Sequence, residues 1–412
     1  MGHPLLTQPL LTAILVLLLT APVSGLVLDG YDFNLRWHPP LWLTLIAFCI
    51  HWMILLFKRW RFGEKTGKPS PWTRISSWGS RPSVHRLAFF VLPVVGLVLP
   101  FFLGKYGLTV AILALIYVLL ALGLNIVVGL AGLLDLGFVA FYAVGAYGYA
   151  LGHHYLGLGF WLSLPLGALL AACCGIVLGF PVLRMHGDYL AIVTLGFGEI
   201  IRLVLNNWMD FTGGPNGVRV DFPTFFGLEF SRHAKEGGIP IHEFLGIDYS
   251  SNTRNIFIYL VLFLVVLLIL ALVSRLKTMP LGRAWEALRE DEIACRSLGI
   301  NHVTVKLSAF ALGAMIGGIG GVFFAASQGF VNPTSFTFFE SALILAIVVL
   351  GGLGSIPGVM IAAVVLTVLP EMLRDFSDYR ILVFGLAMVV MMIWRPQGLV
   401  RARRPVFQGR KG

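Results

Sequence analysis

In a chain that is 58% hydrophobic and 12% charged, the residues able to do chemistry are few. Asp135 interrupts GLLDLGF, Glu199 and Arg202 stand three apart in LGFGEIIRLVL, and Glu340 opens the apolar segment after Phe339. Ionisable groups within an apolar bundle mark a solute or ion pathway, a proton relay or a tie between helices. Glu199 and Arg202 share a helical face and can neutralise each other, which suits a polar cavity or an interhelical tie. Asp135 and Glu340 fall near the ends of apolar segments, where water lowers the penalty for their charge.

The densest charge lies elsewhere, in Gly282–Gly299, GRAWEALREDEIACRSLG, set between two long apolar segments. Trp285, Leu288, Cys295 and Leu298 recur at helical spacing and predict a face turned toward the apolar bundle, while Glu286, Arg289, Glu290 and Arg296 project elsewhere. Glu286 with Arg289 and Glu292 with Arg296 are spaced to support a helix. Gly299 is placed to stop it and Asn301 to start the next. A charged helix stranded between apolar segments serves to touch something in the water.

Enzyme signatures are missing. A P-loop needs GxxxxGK[ST] so that backbone amides cradle phosphates; the nearest run, Gly63–Ser70, has the wrong spacing and places Pro69 after Lys68. Neither H-E-x-x-H nor G-x-S-x-G occurs, and His153-His154 stand alone, too few ligands for a metal. Cys49, Cys173, Cys174 and Cys295 show no metal or disulfide spacing and read as small buried hydrophobes. No catalytic group, metal or cofactor is expected.

The elements that position these residues are membrane helices. About 20 apolar residues cross the hydrocarbon core, and shorter pieces serve where protein shields them. Candidate segments run over 5–28, 41–57, 87–103, 108–130, 136–151, 159–180, 189–206, 256–274, 307–326, 338–350, 356–369 and 381–394. The expected fold is an all-α polytopic membrane helix bundle of about 10–12 hydrophobic helices, some short or broken. Ala21–Ser24 resembles a small-residue cleavage site, but no basic region precedes the first segment, which therefore reads as an uncleaved helix.

Charge orients the bundle. The connection from Lys58 to Arg86 carries Lys58, Arg59, Arg61, Lys65, Lys68, Arg74, Arg81 and Arg86 against Glu64 alone, the mark of a cytoplasmic segment. Counting spans onward puts the loop 275–306 and the basic tail 400–412, with Arg401, Arg403 and Arg404, on that same side. The polar segment 207–255 then falls outside, and its mixed charge suits that face. The net charge of +10 reflects membrane orientation, since no basic folded face with stacking aromatics suggests nucleic acid.

Glycine supplies the remaining signal. Gly313, Gly317 and Gly321 lie four apart, a stripe where another backbone can approach closely. In VVLGGLGSIPGVM, Gly351, Gly352 and Gly354 interrupt the apolar run, Ser355 can cap a new helix and Pro357 is tolerated in its first turn. This predicts a hairpin between two short helices, either a structural turn or part of a pathway.

These residues together resemble a known family. Glu286-Ala287 followed by Gly299 resembles the cytoplasmic coupling loop of ATP-binding-cassette (ABC) importer permeases. GLNIVVGLAGLLDLGFVAFYAVGAY, GDYLAIVTLGFGEIIRLVLNNW with TGGPNGV after it, the run from Gly282 to Ala314 and VVLGGLGSIPG, in this order, resemble the branched-chain amino acid ABC permeases over about 104–399.

The resemblance implies an importer of the bacterial inner membrane, with a cytoplasmic carboxyl terminus. Its expected companions are a homologous sister permease, two cytoplasmic ATPase subunits and a periplasmic substrate-binding protein. Residues 1–86 correspond to an amino-terminal extension with two hydrophobic helices and a basic connector, and 87–399 to the permease domain. Arg283, Glu286, Ala287, Arg289, Glu290, Asp291 and Gly299 are the expected coupling residues. Asn125, Gly129, Asp135, Glu199, Arg202 and Gly351 are the candidates for the translocation pathway. A secondary amino-acid transporter is the alternative; it would need buried carboxylates coupled to protons or sodium, for which Asp135 and Glu199 are the candidates.

Overall fold

The structure is a computed structural model. It describes residues 93–183, 185, 187–224, 251–372 and 398–400, the short stretches 26–29, 32–35, 228–229 and 239–240, and positions 385 and 389. Two compact units divide the chain, Met1–Ala88 and Phe89–Gly412. In the first, β1 (Leu26–Asp29) pairs antiparallel with β2 (Asp32–Leu35). That corrects one expectation, because Leu26 to Leu28 are strand rather than the end of a helix: Leu26, Val27 and Leu28 pair with Leu35, Asn34 and Phe33 across an antiparallel ladder. The remainder of the first apolar segment, the second, Cys49 and the basic connector lie outside the described residues, as does most of 381–394.

The second unit is a helix bundle. After a helical stretch at 93–98 come α1 (Lys105–Leu124), α2 (Val139–Leu156), α3 (Phe160–Val182) and α4 (Asp188–Asn207). They are followed by α5 (Ser251–Thr278), the short pair α6 (Pro280–Glu290) and α7 (Glu292–Ser297), then α8 (His302–Gln328), α9 (Phe338–Gly351) and α10 (Ile356–Met372). Among the described residues six helical segments are long and apolar enough to cross a membrane, with Ile356–Glu371 shorter. The chain is a multi-pass membrane protein.

α8 is the axis, packed by α1, α2 and α3. Its glycines explain why. Gly313 lies against the Gly123 carbonyl of α1, and Gly321 against the backbone of Tyr142 and Ala146 in α2. Gly318, on the adjacent face, meets Gly145 of α2 and Gly167 of α3 so closely that a Cβ at Gly145 would collide with the Gly318 backbone. With no hydrophobic drive between helices in lipid, such close backbone contact supplies the packing energy.

The outward faces of α3 and α4 expose Leu169, Val177, Phe180, Ile192 and Ile200, as lipid-facing or partner-facing surfaces do. Cys173 is exposed and Cys174 half-buried on α3. This corrects their expected burial, since Gly175 and Ala171, not the cysteines, face α8.

At one end of the bundle, β3 (Val218–Arg219) pairs antiparallel with β6 (Phe330–Val331), closing the segment after α4 onto the exit of α8. Two further strands, β4 (Leu228–Glu229) and β5 (Ile239–Pro240), pair in parallel. His153 Nε2, at the end of α2, lies 2.9 Å from Asp221 Oδ2, a structural tie for a residue expected to stand alone.

Candidate coupling segment and the broken helices beside it

At the opposite end sits the charged segment. It forms two helices rather than one, because Asp291 leaves helical geometry (φ −159°, ψ 114°) and caps α7, its carboxylate accepting from the N–H groups of Ile293 at 2.8 Å and Ala294 at 3.0 Å. Removing this cap by Asp291→Ala is expected to destabilise α7 by about 1 kcal/mol. Faster amide exchange at Ile293 and Ala294 with unchanged exchange in α8 checks it.

The apolar face forms as expected at Trp285, Leu288 and Cys295, all buried. Trp285 is the anchor: its Nε1 donates to the Val305 carbonyl at 3.2 Å and to Ser308 Oγ at 3.1 Å on α8. Leu298 departs from expectation and is 79% exposed, because α7 ends at Ser297 and the helical phase ends with it. Gly299 stops the segment with φ +80°, and Ile300 N–H reaches back to the Cys295 carbonyl at 3.1 Å. Asn301 caps α8 by accepting from Val303 and Thr304. Burial pushes the Cys295 thiol up, with the Asp291 and Glu292 carboxylates adding to the shift, so it stays protonated near neutral pH.

Charges sort by face. Glu292 pairs with Arg296 at 2.6 Å, as spacing predicts, and also with Lys306 of α8 at 2.8 Å. Lys306 is 1% exposed, so this pair fixes α7 to the bundle. Glu286 does not pair with Arg289; it is half-buried and has no hydrogen-bond or ion-pair partner among the described residues. Arg289 stays exposed, but its Nη1 reaches inward and donates to the Gly129 carbonyl at 2.5 Å.

Gly129 belongs to a π turn, Asn125–Leu130, that continues α1. Ala131 N–H reaches the Ile126 carbonyl and Leu133 N–H the Val127 carbonyl, both at 3.0 Å, so the ladder widens before it breaks. Asn125 is fully buried, and its Oδ1 accepts from Gly354 N–H at 2.9 Å. Gly354 lies in the predicted hairpin between α9 and α10, where Gly352 and Gly354 take φ +107° and +78° and Ser355 caps the helix opened by Ile356 and Pro357. Lys277 at the end of α5 donates to the Gly354 carbonyl at 2.8 Å, and Leu399 N–H to the Leu350 carbonyl at 2.8 Å. Asn125 and Gly129 are therefore brought against the hairpin at Gly354, while Gly351, which ends α9, packs against Gly358 and Val359 on the hairpin's other arm. Lys277 and Lys306 join the site unannounced; the basic pair Arg275 and Lys277 closing an apolar helix is the available signal for Lys277.

The other pathway candidates sit apart. Glu199 and Arg202 pair at 2.8 Å on one turn of α4, both about a third exposed, and tie only their own helix. Asp135 is fully buried, contrary to its expected hydration. The reason is α4: Gly137 and Gly198 let it close over the loop, while Asp135 Oδ1 accepts from Gly137 N–H at 2.9 Å and Thr194 Oγ1 from Leu136 N–H at 3.0 Å. Glu340, in the first turn of α9, is half-buried and accepts from the Tyr117 hydroxyl. No group of three or more potential metal ligands occurs among the described residues.

Glycine crossings, a charged helix pair at one end and two broken apolar elements beside it are what a membrane permease would use. The chain matches the family described as branched-chain amino acid transport system / permease component over residues 106–393, and it belongs to that family. It is 55% identical over 330 residues to the high-affinity branched-chain amino acid transport system permease protein LivM of Salmonella typhimurium, covering 80% of this chain and 78% of that one. LivM of Escherichia coli K12 gives the same identity and coverage. The LivH permease of Salmonella typhimurium is 25% identical over 69% of this chain and 91% of its own length. No solved structure matches.

Proposed function

We propose that this chain is the transmembrane permease subunit of an ABC importer that moves branched-chain amino acids across the bacterial inner membrane. ATP is hydrolysed by two cytoplasmic ATPase subunits, a homologous sister permease completes the pathway, and a periplasmic binding protein delivers the solute. Residues 87–399 form the permease domain, with 207–255 periplasmic and 275–306 cytoplasmic; residues 1–86 extend it and 400–412 form a basic cytoplasmic tail. The observation that carries this reading is the family match across residues 106–393, joined to a charged helix pair fastened to α8 by Trp285.

The exposed side of α6 and α7, with Arg283, Glu286, Ala287 and Glu290, docks on an ATPase subunit, while Asp291 and Gly299 shape the segment. Nucleotide-driven movement of the docked helices is carried into α8. Uptake of leucine, isoleucine or valine by cells is expected to stop when ATP is depleted with the membrane potential maintained. Purification in mild detergent is expected to bring ATPase subunits down with the chain. Uptake that followed a proton or sodium gradient instead would reject this in favour of a secondary transporter.

A further inference from the structure

Three interrupted or short elements meet beneath the bundle, and two cations join them. The π turn Asn125–Leu130 ends in carbonyls with no following helical N–H, and Arg289 of α6 supplies a donor to one of them, Gly129, at 2.5 Å. Gly354 of the hairpin is gripped on both sides of its residue: its N–H donates to Asn125 Oδ1 at 2.9 Å and its carbonyl accepts from Lys277 at 2.8 Å. Packing is as close as the bonding. Gly132, at φ +74°, leaves room for Arg289, whose Cγ would lie 2.7 Å from a Cβ there, and a Cβ at Gly129 would lie 2.6 Å from Gly354 N.

One group in this knot is unsatisfied. Asn125 Nδ2 is buried and has no hydrogen-bond partner among the described residues, a state that natural proteins rarely keep without use. A π turn holds one residue more than an α turn, and moving that residue along the helix rotates the flanking segment by about 100°. Such a shift would give the element a second arrangement, the kind of change that coupling between distant places requires.

Resting on the permease reading above, we propose that Arg289 and Lys277 are positioning residues of a latch. Arg289 fastens the π turn to α6, the segment that the ATPase moves, and Lys277 fastens the glycine hairpin to the end of α5, three residues before α6 begins, so displacement of α6 shifts the π turn directly and the hairpin through that junction. Opening of the inner end breaks the Asn125–Gly354 bond and gives Asn125 Nδ2 a new acceptor. Arg289, although exposed, acts through its bond to Gly129 and not by docking.

The test uses the complete complex, with sister permease, ATPase subunits and binding protein, reconstituted in liposomes with radiolabelled leucine. Leucine taken up per ATP hydrolysed is expected to fall about tenfold or more in Arg289→Ala and in Lys277→Ala, the scale of one lost charge-assisted hydrogen bond. ATPase subunits are expected to remain bound and hydrolysis to persist. Arg289→Lys, which keeps a cationic donor, is expected to recover much of the ratio.

An unchanged ratio in both alanine variants would overturn the latch. So would loss of ATPase subunits from Arg289→Ala, which would make Arg289 a docking residue, or failure of all three variants to accumulate, which would make these bonds purely structural. Leucine uptake by the unaltered complex without ATP hydrolysis would instead remove the permease reading beneath it.

Discussion

Gly145→Leu is expected to prevent the bundle from forming. Gly145, Gly318 and Gly167 bring three helices together at one level, and an added side chain at Gly145 meets backbone rather than a movable side chain. Overpacking a tight core costs about 1–3 kcal/mol when side chains can yield; here neither neighbour can, so the penalty lies at the top of that range or above it. Full-length chain extracted in mild detergent is expected to give little monodisperse protein on size-exclusion chromatography, with the thermal transition of what remains markedly lowered. Gly148→Leu serves as the comparison, because Gly148 in the same helix faces the Leu170 side chain, which has rotamers to use. Equal damage from both would mean that helix propensity, not the crossing, decides the outcome.

Glu286→Arg is expected to abolish uptake while leaving the protein in the membrane. Trp285 and Leu288 hold α6 against the bundle, and Glu286 has no ionic partner among the described residues, so reversing its charge breaks nothing within the chain. Against an ATPase surface complementary to the native charge, the reversal is worth several kcal/mol. Uptake is expected to fall by about two orders of magnitude or more. Immunoblots should show ordinary membrane levels, and less ATPase subunit should co-purify. Normal transport by this variant would mean that the docking surface lies elsewhere.

Both expectations depend on features of unequal legibility in the sequence. The Gly313, Gly317, Gly321 stripe, the Gly299 stop, the Asn301 cap and the Gly352–Ser355 hairpin could be read directly, because each expresses the conformational preference of a residue and its immediate neighbours. The break at Asp291 was harder: aspartate is tolerated in a helix, and only the available N–H groups of Ile293 and Ala294 make it a cap. Leu298 follows from the same break: its spacing fits the buried face of one continuous helix, but two stand here and it lies exposed past the end of the second. Asp135 was expected to meet water near a helix end, yet α4, which begins more than fifty positions later, buries it through Gly137 and Gly198.

By itself the sequence determined the all-helical membrane class, the apolar segments that form most of the spans, the glycines that permit their crossing and the charged segment that stands clear of them. These follow from composition, periodicity and local backbone preference, which act within a turn or two. Only the tertiary structure decided that Arg289 bonds Gly129, that Lys277 and Asn125 share Gly354, and that Lys306 is buried on Glu292. Such partners are chosen by which donors and acceptors are left unsatisfied after the helices pack, and that choice is made through space.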